Sequence, residues 1–455
     1  MSLQLDLELT ADFLPESVAN LTKHIGLQWV DEVLALSGVA TLRKRRLPMQ
    51  QVVWLVLGMC LMRNRTIDDV VAKLELALPA KSTKPDAPVA QSCISDARKH
   101  LGAEPMQRLF AKTASTWAHA ENDKYKWRSL SLYGVDGSTL PVADTPENRA
   151  YFGGQTNGPT QSASGYPIVR IVTLVALRSR LIAAARIGPY VGSSELSLTD
   201  DLLDDVPDNS LFIADRNFLN GRTILPLRGK GVNRHVLMRA KKSTVMEPIE
   251  KLGRNDCIVE LNTSADMLKR DPTLAKTWRA RAIRYQLPGF EPQFLLTTLL
   301  DPVAYPAAEL VELYHERWDL ELGFAEIKTT QLEQRPALRS KLPELTKQEV
   351  WGVLLAYNLV RLEMAALAVE AKVMPNRISY VAALRLVTDE WMWSEITKPG
   401  AIASRLAAMR ANLARFILPP RRRERSYPRT VKGRTKPYPA KKTRAAVAVT
   451  TGIGA

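Results

Sequence analysis

Apolar positions recur every three or four residues through Trp29–Leu36, Val52–Met62 and Val70–Leu78, the spacing that lines one face of a helix. Few β-rich runs interrupt residues 14–120, and Pro79, Pro85 and Pro88 break the series. Ile94–Phe110 continues it, with Gly102 and Pro105 splitting it into two helical pieces and Arg98, Lys99 and Arg108 set among the apolar residues. This predicts a small helical domain with a basic face. No motif pins a helix-turn-helix that reads DNA, and a plain helical packing unit fits that pattern at least as well.

From about residue 128 the period changes to that of strands. Ser129–Val135 is a short strand ending in Asp136-Gly137-Ser138, and Gly153–Gly165 is a loop rich in Gly, Gln, Thr and Ser. Ile168–Leu177 and Leu181–Ile187 read as two strands joined by Arg178-Ser179-Arg180, and Ser194 caps a helix reaching Leu203. Leu211–Ala214 is a buried strand ending in Asp215-Arg216, followed by a helix from Gly221 and a strand over His235–Arg239. The β-β-β-α-β-α-β order, with carboxylates at two strand ends, describes a mixed α/β sheet. Ile258–Leu261, Trp278–Tyr285 and Phe294–Leu299 predict a β-rich insertion. The chain then turns helical from Ala307 to about 332, with two further buried helices over Gln348–Val369 and Ile378–Trp391.

The net charge of +16 favours polyanionic partners, nucleic acid foremost, although a solvated basic surface carries the same charge. Arg421–Arg444 holds 11 Lys or Arg against one acid, Glu424, leaving +6 to the rest of the chain. Its prolines predict an extended tail, which serves either solubility or loose phosphate contact beside Tyr427 and Tyr438. Cys60, Cys93 and Cys257 are scattered, so neither a disulfide framework nor a structural zinc site is expected. The N-terminus is acidic rather than signal-like, and Val52–Met62 is too short to span a bilayer. A cytoplasmic protein without a membrane segment is the expectation.

Phosphoryl transfer on DNA calls for hard divalent metals, hence for Asp and Glu oxygens brought to one place. Asp136 and Asp215 after strands and Glu321 on a helix meet that demand, although an Asp after a strand is most often a turn former. Reading Tyr314–Lys328 as one helix, at about 100° per residue with Tyr314 at 0°, places Arg317 near about 300°, Lys328 near about 320° and Glu321 near about 340°. Leu313, Leu320, Phe324 and Ile327 form the adjoining apolar stripe, while Glu316, Asp319 and Glu326 fall elsewhere. A surface helix with an Arg317–Glu321 ion pair fits the same angles.

Tyr314-x2-Arg317-x3-Glu321-x6-Lys328 resembles the YREK pattern of the DDE transposases of IS-four-type insertion sequences. Val135-Asp136-Gly137-Ser138 resembles that family's first-aspartate motif, and Asp215-Arg216-Asn217-Phe218 its second. Ile94–Arg98 is similar, less specifically, to its helical N-terminal domain. The resemblance covers roughly residues 15–390. Leu320 stands where Ile is commoner, and Asp144 is the nearest rival for the first aspartate.

The resemblance implies an RNase H-like catalytic domain interrupted by a β insertion. Asp136, Asp215 and Glu321 would hold two magnesium ions, with manganese as a substitute. Tyr314, Arg317 and Lys328 would hold DNA phosphates, Arg216 would contact phosphate or form an ion pair, and Trp318 would stack on a base or, better, simply pack. The implied partners are double-stranded DNA (terminal inverted repeats and target) and a second copy of the chain. The implied reaction is cut-and-paste transposition through a hairpin, in a nucleoid-associated bacterial protein. A nuclease that cuts without joining and an inactive DNA-binding relic stay open. The expected organisation is a helical domain over 1–125, catalytic core over 126–240 and 301–395, insertion over 241–300, and a helix with the basic tail over 396–455.

Overall fold

The computed structural model describes residues 24–40, 47–74, 76, 89–157, 162–163, 165–219, 221–286, 291–333, 337–393 and 417–419. The helix expected after residue 396 and the basic stretch 421–444 lie outside the described residues.

The chain opens on helices α1 (Leu27–Leu36), α2 (Met49–Leu61), α3 (Ile67–Lys73), α4 (Gln91–Leu101) and α5 (Glu104–Asn122). A capping box starts α3, Thr66 and Asp69 satisfying each other's backbone N–H. Gly102 ends α4 with φ of 69°, a left-handed turn that a side chain resists, and Pro105 sits in the first turn of α5. The break expected there is present.

Of the three cations expected to make a basic face, Lys99 and Arg108 are on the surface and Arg98 is not. Arg98 is buried: its Nε donates to Gln348 Oε1 at 2.9 Å and its Nη2 to Ser340 Oγ at 3.0 Å. Lys99 pairs with Asp96 at 3.0 Å and Arg108 with Glu104 at 2.6 Å. All three cations are engaged by the chain's own acceptors, and Arg98 fastens the N-terminal helices to the later part of the fold.

Strands β1 (Ser131–Pro141), β2 (Thr156–Asn157), β3 (Ser162–Ala163), β4 (Ile168–Ala176), β5 (Leu181–Pro189), β6 (Ser210–Ala214), β7 (Arg234–Arg239), β8 (Glu247–Gly253), β9 (Asp256–Asn262), β10 (Thr277–Tyr285) and β11 (Gln293–Thr297) follow. Among the described residues nine of them form one sheet in the order β5-β4-β1-β6-β7-β11-β10-β9-β8, and β2 and β3 pair separately. The sheet is mixed: β1 runs antiparallel to β4 and parallel to β6, and β6 parallel to β7. Strands β8–β11 do not make a sheet of their own, because β11 pairs with β7 and the others extend outward from it.

The other helices are α6 (Pro146–Phe152), α7 (Glu195–Asp200), α8 (Gly221–Gly229), α9 (Ala265–Arg270), α10 (Ala307–His315), α11 (Trp318–Ala325), α12 (Pro343–Glu370) and α13 (Tyr380–Trp393). Side chains alternate across each strand, so the sheet buries two faces. Leu132, Leu140, Leu211 and Ile213 pack with the N-terminal helices, α10, α11 and α12. Tyr133, Val135, Phe212 and Ala214 pack on the opposite side with Leu203, Ile224 and Leu227. The β5 edge is closed by Asn358 of α12, which accepts from Ile182 N at 2.9 Å and donates to Ile182 O at 2.8 Å. α12 is long and apolar enough to cross a membrane, but 78% of its apolar window is buried inside the fold, which makes it a core helix.

Candidate active site

Asp136 stands within β1, not at its end. The parallel ladder with β6 stops at Val135–Ala214, whereas the antiparallel ladder with β4 runs on to Pro141–Ile168. Because β6 ends at Ala214, Asp136 and Asp215 occupy the next, neighbouring positions where those two strands part. Asp215 then caps a short 3-10 turn, its carboxylate accepting from Arg216 N at 2.6 Å, while Asp136 accepts from Gly137 N at 2.8 Å.

The stretch Tyr314–Lys328 is not one helix. α10 ends at His315, the chain turns at Glu316 and Arg317, α11 follows, and a π-helical turn over Glu326–Gln331 carries Lys328. A uniform angular step does not hold across such a break, because a π turn winds more slowly than an α turn. The division of charges that the wheel predicts survives locally all the same. Arg317 donates to Glu321 at 2.9 Å. The other acids are claimed by arginines behind the helix. Arg178 donates to both oxygens of Glu316 at 3.0 Å. Arg180 donates to Asp319 at 2.8 Å and to Glu326 at 2.6 Å, and Glu326 also pairs with Arg361 and accepts from Tyr357 at 3.0 Å. Arg180, Asp319 and Arg361 are buried, so this clamp fixes which side of α11 faces the sheet.

Gly134 explains how close α11 comes. It precedes Asp136 by two residues and so shares its face of β1. A Cβ at Gly134 would lie 2.9 Å from Leu320 Cδ1. With hydrogen there instead, α11 lies directly on β1, and the residue after Leu320 is Glu321.

The electrostatics tie the acids together. Burial pushes the Asp136 carboxyl up to about 6; Glu195 and Glu321 add to the rise, while the Gly137 hydrogen bond and Arg317 oppose it. Arg317 is shared: burial disfavours its charge, but Tyr314, Glu321 and Asp215 outweigh that and raise it. Burial lowers Lys328, with Asp136 acting in the opposite sense, and burial lifts the Tyr314 hydroxyl to about 12 beside Arg317 and Asp215. Arg317 is ion-paired with Glu321, and its charge also acts on Asp136 and Asp215. Among the described residues, no three Asp, Glu, His or Cys side chains close to the distance of direct metal ligands. The donor set nevertheless fits a hard divalent cation. It is all oxygen, it is short of positive charge, and one member is held in a raised-pKa state that a cation would relieve.

Around these acids, Tyr314 is nearly buried, Arg317 and Lys328 are half-buried, and Arg216 is exposed. Trp318, expected to pack, is 49% exposed, with the Arg317 guanidinium 5.4 Å from its ring centroid. Asp144 lies past the end of β1 and is paired with Arg149, whose Nη2 donates at 2.7 Å. Glu195 escaped sequence reasoning. It begins α7, and its side chain lies against Gly137, where a Cβ would meet its Cγ at 2.6 Å. No motif marks it; the Gly after Asp136 is the only trace it leaves in the sequence.

Residues 15–111 match the family of insertion element 4 transposase N-terminal domains, and residues 127–359 match the transposase DDE domain. The chain is 36% identical over 436 residues to the transposase InsG for insertion sequence element IS4 of Escherichia coli (strain K12), covering 96% of each chain. It is 35% identical over 236 residues to the putative transposase InsZ of the same organism, covering 52% of this chain and 76% of that one. A cryo-EM structure of a piggyBac transposase synaptic complex with hairpin DNA covers 88% of this chain and 83% of that one. Its TM-score of 0.39 and 10% identity are too low to bear on the site.

Proposed function

We propose that this chain, which belongs to the insertion element 4 family of DDE transposases, cuts its element out of DNA and joins it to a target at one site built from Asp136, Asp215 and Glu321. The family binds DNA and uses a divalent metal. The observation that carries the assignment is the close approach at Gly134, which lays α11 on the strand of Asp136 and brings the paired Arg317 and Glu321 near enough for their charges to act on that carboxyl.

The three carboxylates would hold two magnesium ions. The chemistry such ions supply is Lewis acidity, which sharpens an attacking oxygen and neutralises the leaving one. The chain's own groups do the rest. Arg317 orients Glu321 and balances the acids before DNA arrives. Lys328, half-buried and within reach of the Asp136 charge, and Arg317 would bring positive charge to a backbone phosphate, and Tyr314, within reach of the Asp215 charge, would join them. Arg216, exposed one residue after Asp215, would contact a phosphate. Trp318, exposed and backed by a guanidinium, would stack on a base unpaired during hairpin formation. The helical N-terminal region would hold the terminal repeat. Two copies would bridge two ends in the bacterial cytoplasm, at the nucleoid.

Incubation with labelled element-end DNA, a target plasmid and magnesium tests this. The expected result is hairpin ends followed by joined product. Cutting without joining would identify a nuclease, and binding alone a relic.

A further inference from the structure

We propose that Thr173 is a positioning residue for Asp136: its hydroxyl donates a hydrogen bond to that carboxylate when a divalent cation engages it, and so fixes the carboxylate's orientation. The inference rests on Asp136 being one of the metal-holding acids.

Thr173 sits on β4 directly opposite Asp136 in the antiparallel ladder. Residues so paired project from the same face of a sheet, with Cβ atoms about 4.5–5.5 Å apart. The burial of neighbouring residues agrees. Ile171 on β4 and Leu132 and Leu140 on β1 pack in the core that holds α11, and Thr173 and Asp136 alternate in phase with them. Thr173 is 1% exposed, and its Oγ1 has no hydrogen-bond partner among the described residues.

A buried hydroxyl without a partner is costly, and native proteins rarely keep one without a use. The flanking run Ile168–Ala176 is otherwise dominated by Ile, Val, Leu and Ala. Valine has nearly the same shape, so packing alone gives no reason for a hydroxyl at this position. Asp136 accepts one hydrogen bond on Oδ1, from Gly137 N, which leaves further acceptor capacity on the carboxylate. Carboxylates that ligate metals are themselves held by hydrogen bonds, and loss of such a partner weakens metal affinity.

The test uses the full-length protein with Thr173→Val and Thr173→Ser. Binding of Mn2+ without DNA is followed through the electron paramagnetic resonance signal of the free ion. Thermal unfolding is followed in EDTA. The expected result is Mn2+ binding weakened roughly tenfold in Thr173→Val, with metal-free stability unchanged or raised because an unpaired hydroxyl has gone. Thr173→Ser should restore binding. Unchanged Mn2+ affinity in Thr173→Val would overturn the proposal. So would a loss of affinity accompanied by a matching loss of metal-free stability, since that marks a packing role. Asp136→Asn, run alongside, separates the two levels: if it binds Mn2+ like the parent, the assignment of the site itself fails, whatever Thr173 does.

Discussion

Replacing Asp136 by Asn should make the metal-free protein more stable while abolishing its reaction. The carboxyl is raised from 3.8 to about 6, chiefly by burial and then by Glu195 and Glu321. The folded state therefore binds this proton more tightly than the unfolded chain does. Its contribution to stability is full below about pH 4 and is lost as pH rises through about 6. At about 1.4 kcal/mol per pH unit the shift sets a ceiling of about 3 kcal/mol, and partial access to water brings the expected gain to about 1–3 kcal/mol. Asn keeps the shape and an oxygen for the Gly137 N–H, so little packing is disturbed. For the roughly 340 described residues melting together, that gain raises the thermal midpoint by about 1–4 °C. The assay is thermal unfolding in EDTA from about pH 3.5 to 8, followed by a magnesium titration. The parent should lose stability between pH 4 and 6.5 relative to the variant and recover it with magnesium, to which the variant should not respond. An Asp136→Asn variant that is less stable in EDTA, or that magnesium stabilises like the parent, refutes the reasoning.

Three further outcomes follow from the same geometry. Glu195→Gln removes a neighbour that raises Asp136, so the acidic limb of the cleavage–pH profile should move to lower pH; an unmoved limb separates Glu195 from the site. Arg180→Met removes the buried cation facing Asp319 and Glu326 and should cost about 3–5 kcal/mol in chemical denaturation; a loss under about 1 kcal/mol would show that the clamp does not hold α11. Removal of residues 421–455 should weaken nonspecific DNA binding and flatten its dependence on salt by about 0.9 log unit for every phosphate the tail neutralises; an unchanged slope would exclude a phosphate-binding tail.

The alternation of apolar residues made the central strands legible, and the helical period did so for the flanking helices. Other features depend on partners distant in sequence. Asp136-Gly137-Ser138 reads as the end of a strand, since none of the three favours β structure, yet β4 pairs with it throughout. No Gly or Pro marks the break at Glu316 and Arg317; the nearest visible cause is the pair Arg178 and Arg180, some 140 residues earlier. Arg98 looks like a surface cation until Gln348 and Ser340 meet it. The four-residue spacing of Arg317 and Glu321 falls within one turn, so that part of the site could be read directly and the ion pair is present. Glu195 could not be read, because what brings it to β1 is a glycine 58 residues away, on the face of the strand opposite Asp136.

In the proposed reaction Asp136, Asp215 and Glu321 act as one metal-dependent site. Each is changed to Ala in the full-length protein, and cleavage of labelled element-end DNA is followed in magnesium beside a binding assay on the same DNA. All three variants should bind the DNA and none should cut it. A variant, Glu321→Ala above all, that cuts at the parental rate would contradict it.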